Sequence, residues 1–348
     1  MSEMRSLLAD AAARAMSGAG EAFSPALWRA LEDAGLAAAW LAEDKGGAGA
    51  DLGDTMAILR VAGRHALAAP LAETLLAAWL LSESRLAIPA GPLSIAPVER
   101  GALPTLARAG KGWRLSGEAR HVPWARDAKA LAVLATHDGR IHVARVAVDK
   151  SALTHGENLA GEPRDAVRFG DVVLAADAVA PAGVDFDALW RRGALCRAAT
   201  MAGALDEVLD LTVRYCGERV QFGRPIGKFQ AIQQQVAELA AMVAASGVAA
   251  DAASAAAERG NATFAIAAAK ARIGEAAGPA AAIAHQVHGA MGFAREHRLN
   301  LYTRRLWSWR EEFGDESYWW GWLGRAAARV GGDALWPFLT GPRDEAKP

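Results

Sequence analysis

The feature that most limits the fold of this chain is the spacing of its apolar residues, which changes twice along 348 positions. Apolar residues recur every three or four positions over 1–88, alternate with polar residues over 89–182, and return to the wider spacing over 183–348. The wider spacing places apolar side chains on one face of a helix, and alternation places them on one face of a strand. The sequence therefore predicts an N-terminal helical domain, a middle β domain and a C-terminal helical domain with these boundaries.

Local signals support helices in the first and last domains. Ser24 followed by Pro25 is typical of a helix start, because proline fits the first helical position. In the last domain Ala202, Leu205 and Leu209 share one helix face, and residues 262–289 are rich in alanine. Small side chains let helices approach closely, which favours a four-helix bundle.

The middle domain carries strand signals. Trp113 and Leu115 alternate with polar residues, and so do Ile141 and Val143. Asp138-Gly139 lies between two alternating runs and is typical of a tight hairpin turn. We therefore expect a small antiparallel sandwich or barrel in a chain that is mostly helical.

Composition excludes several classes of protein. The formal net charge is −1, whereas a nucleic-acid surface needs an excess of Lys and Arg. No window of 18 apolar residues lacks a charge, and the first residues lack the pattern of a signal peptide, so we expect a cytoplasmic protein that does not span a membrane. Cys196 and Cys216 have neither metal-ligand spacing nor a disulfide framework. His288, His297 and Glu296 have no further ligand in the pattern, so we expect no metal.

A charged, aromatic turn, GERVQFGRPIGKFQAIQQQ, joins two long apolar helices of the last domain. Gly217 is suited to a left-handed helix cap, and Pro225 prevents the first helix from continuing. Arg219 and Gln221 then lie beside the amino end of the next helix, whose free N–H groups favour an anion such as a diphosphate. Phe222 could lie against a planar ligand. The alternative is a solvated turn with a buried Phe222.

Four stretches resemble the acyl-CoA dehydrogenase family, in the family's order and over nearly the whole chain. RVQFGRPIGKFQAIQQQVAELA is similar to the motif after that family's first C-terminal helix. The other three are Trp28–Thr74, which resembles the N-terminal helical domain, Gly112–Ala135, which resembles the middle sheet domain, and Ala284–Leu299, which resembles the glutamine-bearing stretch.

This resemblance implies a homotetramer, built as a dimer of dimers, that binds FAD between subunits. It implies an acyl-CoA substrate, a role in lipid catabolism and an electron-transfer flavoprotein as electron acceptor. Arg219, Gln221 and Phe222 match positions that reach a neighbour's flavin pyrophosphate, and Gln230 matches less closely. Gln286, His288 and Gly289 match the stretch near the adenosine half.

The family's reaction desaturates the α–β bond of an acyl thioester: a carboxylate removes the α proton, and the β hydrogen leaves as a hydride to the flavin. The resemblance places Phe313 at the usual position of that carboxylate and Gly193 at a second position used in the family. Glu312 is therefore the candidate base if the loop shifts by one residue. The alternative is that Glu311 and Glu312 are solvated neighbours of arginines, with little effect on stability.

The middle domain also departs from the family. The family's Thr-Glu-Pro-x-x-Gly-Ser-Asp run, which wraps the flavin, corresponds to Ser94–Leu106, which retains little of it. The strand that follows reads HVPWA, where Trp124 stacks near a flavin or simply packs in the sheet. Five tryptophans between Trp307 and Trp322 line an acyl pocket or pack in a core or interface.

Two functions follow from the resemblance. The first is FAD-dependent α,β-dehydrogenation of an acyl-CoA by a homotetramer of this chain. The second is a non-catalytic supporting subunit of an α2β2 heterotetramer, which contributes to the FAD site of a second acyl-CoA dehydrogenase subunit. The resemblance associates such heteromers with bulky ring-bearing or dicarboxylic acyl-CoAs.

Overall fold

The computed structural model describes residues 3–18, 20–41, 47–260 and 262–341. The chain forms two compact units, and neither is continuous in sequence. The first unit comprises residues 1–51 and 67–193, and the second comprises residues 52–66 and 194–348. The three-domain division at 88 and 182 stays a prediction.

Eleven helices are present in the described residues. They are α1 Glu3–Met16, α2 Pro25–Asp33, α3 Leu52–Arg64, α4 Leu71–Glu83, α5 Phe186–Glu218, α6 Gln230–Glu258, α7 Thr263–His288, α8 Ala290–Phe293, α9 Leu299–Glu311, α10 Glu316–Val330 and α11 Gly332–Thr340. The predicted helix start at Ser24 is confirmed, since its side chain accepts a hydrogen bond from the Ala26 N–H.

The first unit contains one eight-stranded sheet. Its strands are β1 Leu93–Ala96, β2 Thr105–Ala109, β3 Gly112–Pro123, β4 Ala130–His137, β5 Arg140–Ala147, β6 Leu153–Thr154, β7 Arg164–Leu174 and β8 Val179–Pro181. The order is β6-β7-β3-β2-β4-β5-β8, and β1 pairs with β4.

The prediction of a mostly helical chain with a middle β domain is confirmed, but the sheet is mixed. Both β1 and the start of β2 run parallel to β4, whereas the other pairs are antiparallel. The predicted hairpin joins β4 to β5, with φ of 49° at Asp138 and 72° at Gly139. Alternating residues of β3, such as Trp113 and Leu115, are buried as the spacing indicates.

The second unit is a bundle in which α3 contacts α5 backbone to backbone. A Cβ atom added at Gly203 would lie 1.8 Å from the carbonyl oxygen of Arg60, and one added at Gly63 would lie 1.9 Å from that of Thr200. Arg60 also donates to Asp206 at 2.8 Å and to Asp251 at 3.3 Å. These contacts explain why α3 belongs with the C-terminal helices.

Among the described residues, α6 is the single helix long and apolar enough to cross a membrane by length and composition. A core helix of a bundle also satisfies this criterion, and α6 packs against α3 and α7. Its small buried residues, including Gly247 and Ala250, allow this close packing.

Candidate functional site

The charged turn is a short hairpin that connects α5 to α6. Helix α5 continues through Gly217 to Glu218, so the prediction of a left-handed cap at Gly217 is wrong. The chain reverses instead between β9 Val220–Gln221 and β10 Arg224–Pro225. Phe222 and Gly223 take the left-handed backbone there, with φ of 51° and 78°. A two-residue turn with positive φ at both positions matches the twist of paired strands and makes a helix cap unnecessary.

The side chains of this hairpin face solvent. Phe222 is 90% exposed, so the alternative of a buried Phe222 is wrong, and its ring lies 6.0 Å from that of Phe229. Arg219 and Gln221 are also exposed. Gln230, likewise exposed, is the first residue of α6, whose terminal N–H groups receive no side-chain cap from Phe229. The hairpin therefore presents a guanidinium, an amide, an aromatic ring and an uncapped helix start.

A ring contact brings the end of α7 beside the end of α5. Tyr215 stacks on His288 with 4.4 Å between ring centroids. Nδ1 of His288 donates to the Ala284 carbonyl at 2.7 Å, and its Nε2 is buried without a partner. Burial lowers the pKa of His288, so the ring is neutral and Nε2 is a bare acceptor.

A second histidine, one turn earlier, has the same property. Nε2 of His285 lies 3.0 Å from the Thr303 hydroxyl, and its Nδ1 is buried without a partner. Burial lowers the pKa of His285 as well. The predicted residues Gln286 and Gly289 are exposed beside it, at the rim of a depression of about 510 Å³ that Phe293 and Trp307 also line. The sequence reasoning missed His285 and Phe293; the aromatic residue after Gly292 was the available signal.

Trp124, predicted near a flavin, lies in the first unit and is 5% exposed. Its ring lies 6.4 Å from that of Phe23, and its backbone N–H donates to the Pro163 carbonyl. The packing alternative therefore describes its surroundings.

The segment over 94–106 is held by side chains of the first unit. The Ser94 hydroxyl donates to the Pro123 carbonyl at 2.5 Å. Glu99 lies 2.5 Å from Nδ1 of His121, and Arg100 donates to Asp187 at 2.6 Å. Two adjacent residues thus attach this segment to β3 on one side and to α5 on the other.

In the second unit, the candidate base Glu312 lies in an ion pair. Its Oε2 accepts a hydrogen bond of 2.6 Å from Nε of Arg197, a side chain that is 5% exposed. Phe313, at the family's base position, is 4% exposed, and its carbonyl accepts from Nε1 of Trp319 at 3.1 Å. Its backbone takes a φ of 55°, which is strained for an aromatic residue and is maintained by the surrounding contacts.

Lys270 fixes the same turn from below. Its ammonium group is fully buried and donates to the carbonyls of Arg310 and Gly314 at 2.6 and 2.7 Å. Burial lowers the pKa of Lys270 to about 7, opposed by Glu312 and Glu316. The turn after α9 is thus fixed at three carbonyls and at one carboxylate, those of residues 310, 313, 314 and 312.

The lowered pKa of Lys270 predicts a pH dependence of stability. Between about pH 7 and the pKa of an unfolded lysine, near 10.4, the unfolded chain holds a proton that the folded chain has lost. The free energy of unfolding should therefore rise with pH in this window, by at most about 1.4 kcal/mol per pH unit. Below pH 7 both states are protonated and the slope vanishes.

Urea unfolding of the wild type and of Lys270→Met over pH 6–10 measures this effect. The difference between the two proteins should be flat below pH 7 and should grow in favour of the wild type above it. A difference that is constant across the range would show that Lys270 keeps an ordinary pKa.

Sequence comparison identifies relatives of this chain. Residues 190–325 match the acyl-CoA dehydrogenase C-terminal domain. Acyl-CoA dehydrogenase IpdE2 of Mycobacterium tuberculosis is 32% identical over 302 residues, which cover 85% of this chain and 84% of that protein. The chain therefore belongs to the acyl-CoA dehydrogenase family.

Solved structures agree with this assignment. A variant of the Tcur3481-Tcur3483 steroid ACAD is 29% identical with a TM-score of 0.77, over 94% of this chain and 96% of that one. The ChsE4-ChsE5 complex from Mycobacterium tuberculosis has a TM-score of 0.86 at 24% identity, over 95% and 99% of the two chains, and shows the shared fold.

Proposed function

We propose that this chain is the supporting subunit of a two-chain acyl-CoA dehydrogenase, and that its partner, a second acyl-CoA dehydrogenase chain, supplies the catalytic base. The observation that carries this proposal is the turn after α9. A buried phenylalanine occupies the base position, and Arg197 occupies an oxygen of the neighbouring carboxylate.

Removal of an α proton requires a carboxylate that reaches the substrate and accepts the proton there. An oxygen of Glu312 lies 2.6 Å from a guanidinium N–H, and the turn that bears it is fixed by Lys270 and Trp319. A one-residue shift would therefore break an ion pair and several hydrogen bonds. This cost argues against Glu312 as the base of a homotetrameric enzyme.

The second unit fits part of an FAD molecule. Arg219 and Gln221 would hold the diphosphate, and Gln286 and His288 would hold the adenosine half. The buried, unpartnered nitrogens of His285 and His288 support a ligand at this end of α7, because such groups are costly to leave unpaired. When bound, FAD would supply the hydride acceptor for the reaction.

The middle sheet fits FAD poorly. The segment over 94–106 lacks the run of hydroxyl groups, and its Glu99 and Arg100 contact His121 and Asp187 of this chain. We therefore infer that the flavin supported by Arg219 rests mainly on the sheet of the partner chain. The relative described as a steroid ACAD carries two chain names, which is in keeping with a two-chain enzyme.

From that relative we also propose a substrate with a bulky, ring-bearing acyl group. The cellular location proposed for this chain is the cytoplasm, and the proposed electron acceptor is an electron-transfer flavoprotein.

The test is to purify the chain alone and after co-expression with acyl-CoA dehydrogenase chains from the same genome. We expect no visible flavin spectrum from the chain alone, and a yellow complex that ring-bearing acyl-CoAs bleach. In the complex, Arg219→Ala should reduce bound FAD at least about tenfold, since a guanidinium–phosphate contact is a strong hydrogen bond. Arg329→Ala, an exposed arginine at the end of α10, is the matched control and should leave FAD unchanged.

A yellow chain that acyl-CoA bleaches without any partner would overturn this proposal. It would favour the homotetrameric enzyme, and Glu312→Gln would then show whether Glu312 is the base.

A further inference from the structure

An exposed aromatic side chain covers a buried histidine at the end of α7. The Phe293 ring, 70% exposed, lies on the His285 ring with 4.4 Å between centroids and 21° between planes. Trp307 is almost parallel to the same imidazole, at 6.1 Å and 19°. Phe293 therefore keeps most of its apolar surface in water, although stacking planes stand beside it.

The imidazole beneath Phe293 is incompletely paired. Thr303 engages Nε2, so a neutral ring keeps Nδ1 as a donor or acceptor in either tautomer. Gly292 adjoins this nitrogen: a Cβ atom there would lie 3.2 Å from Nδ1. A side chain at position 292 would thus crowd the nitrogen, and glycine leaves it free of one.

The adjoining depression has the size and chemistry of a nucleoside site. Its volume of about 510 Å³ lies in the range of small-molecule pockets. The amide of Gln286 at its rim offers one donor and one acceptor side by side, the pair that binds the N6 and N7 atoms of adenine. A planar ring with a polar edge therefore suits this place better than an alkyl chain.

We propose that Phe293 is a lid that occupies the stacking position of a purine on His285. When an adenine nucleotide binds, the Phe293 side chain moves into solvent, and the adenine stacks on His285 with its edge at Gln286. This inference rests on the proposed function, in which the adenine belongs to the flavin dinucleotide.

The proposal has a consequence for affinity. The nucleotide must first displace Phe293, so the stacking of Phe293 on His285 competes with binding. Removing the phenyl ring should therefore strengthen binding, whereas removing an ordinary contact residue would weaken it. This sign distinguishes a lid from a ligand contact.

Calorimetric titration of ADP into the full-length chain, in the assembly in which it purifies, tests the lid. Phe293→Ala should lower the Kd for ADP about three- to tenfold, and Gln286→Ala, an exposed site, should raise it about tenfold. Trp336→Ala on α11, 72% exposed, is the control and should leave the Kd unchanged. FMN, which lacks adenine, should respond to none of these variants.

The lid is refuted if Phe293→Ala weakens ADP binding or leaves it unchanged, or if ADP binds neither protein. Activity is not part of this readout. An ADP response without any partner-dependent dehydrogenation would refute the proposed function alone, and an active complex whose ADP affinity ignores Phe293 would refute the lid alone.

Discussion

Replacing Gly203 by alanine should destabilise the chain by more than about 4 kcal/mol, enough to prevent most of it from folding. The added Cβ would lie 1.8 Å from the Arg60 carbonyl oxygen, and the obstacle is main chain, which no side-chain rotation removes. Helices α3 and α5 would have to separate. The ion pairs from Arg60 to Asp206 and Asp251 would be lost with the contact.

Chemical denaturation of the soluble fraction measures this loss, with Gly324→Ala as the control. Gly324 is an exposed position of α10 with no atom within 4 Å of an added Cβ, so alanine should gain up to about 1 kcal/mol there from helix propensity. Equal stability of the two variants would mean that α3 does not contact α5 as described.

Replacing Arg197 by methionine should cost about 3–5 kcal/mol, because it leaves the Glu312 carboxylate in a largely apolar place without its cation. Glu312→Gln should cost less, since the amide oxygen still accepts from the guanidinium. The double variant Arg197→Met with Glu312→Leu should recover most of the loss, because well-packed apolar residues replace a buried pair at little cost.

These variants also separate the two roles considered for Glu312. A structural ion pair predicts that the flavin-loaded complex of Glu312→Gln turns over at the wild-type rate per folded molecule. Loss of turnover with unchanged stability would instead identify Glu312 as the base. Denaturation curves and anaerobic flavin bleaching, measured on the same preparations, decide between them.

Local patterns predicted most of the secondary structure. The Ser24 cap, the hairpin at Asp138-Gly139 and the long helices of the last domain all depend on residues near one another in sequence. The Gly217 cap failed for a related reason. A helix can end by passing into a hairpin, and the turn residues Phe222 and Gly223 took the positive φ that glycine at 217 was expected to take.

The candidate site divides in the same way. Exposure of Arg219, Gln221 and Phe222 was predictable, because a charged turn between apolar helices has to face water or a ligand. The partner of Glu312 was not, since Arg197 lies 115 positions away, and charged residues at that distance carry no mutual signal in one sequence.

The sequence by itself determined the order of helices and strands, the hairpins, the family and the loss of a carboxylate at the base position. Each of these depends on residue type and short spacing. Only the tertiary structure decided that α3 packs with the C-terminal helices, that Lys270 and Arg197 fix the turn after α9, and that Phe293 covers His285. Such contacts join residues that are distant in sequence, and close packing selects them only when the helices have met.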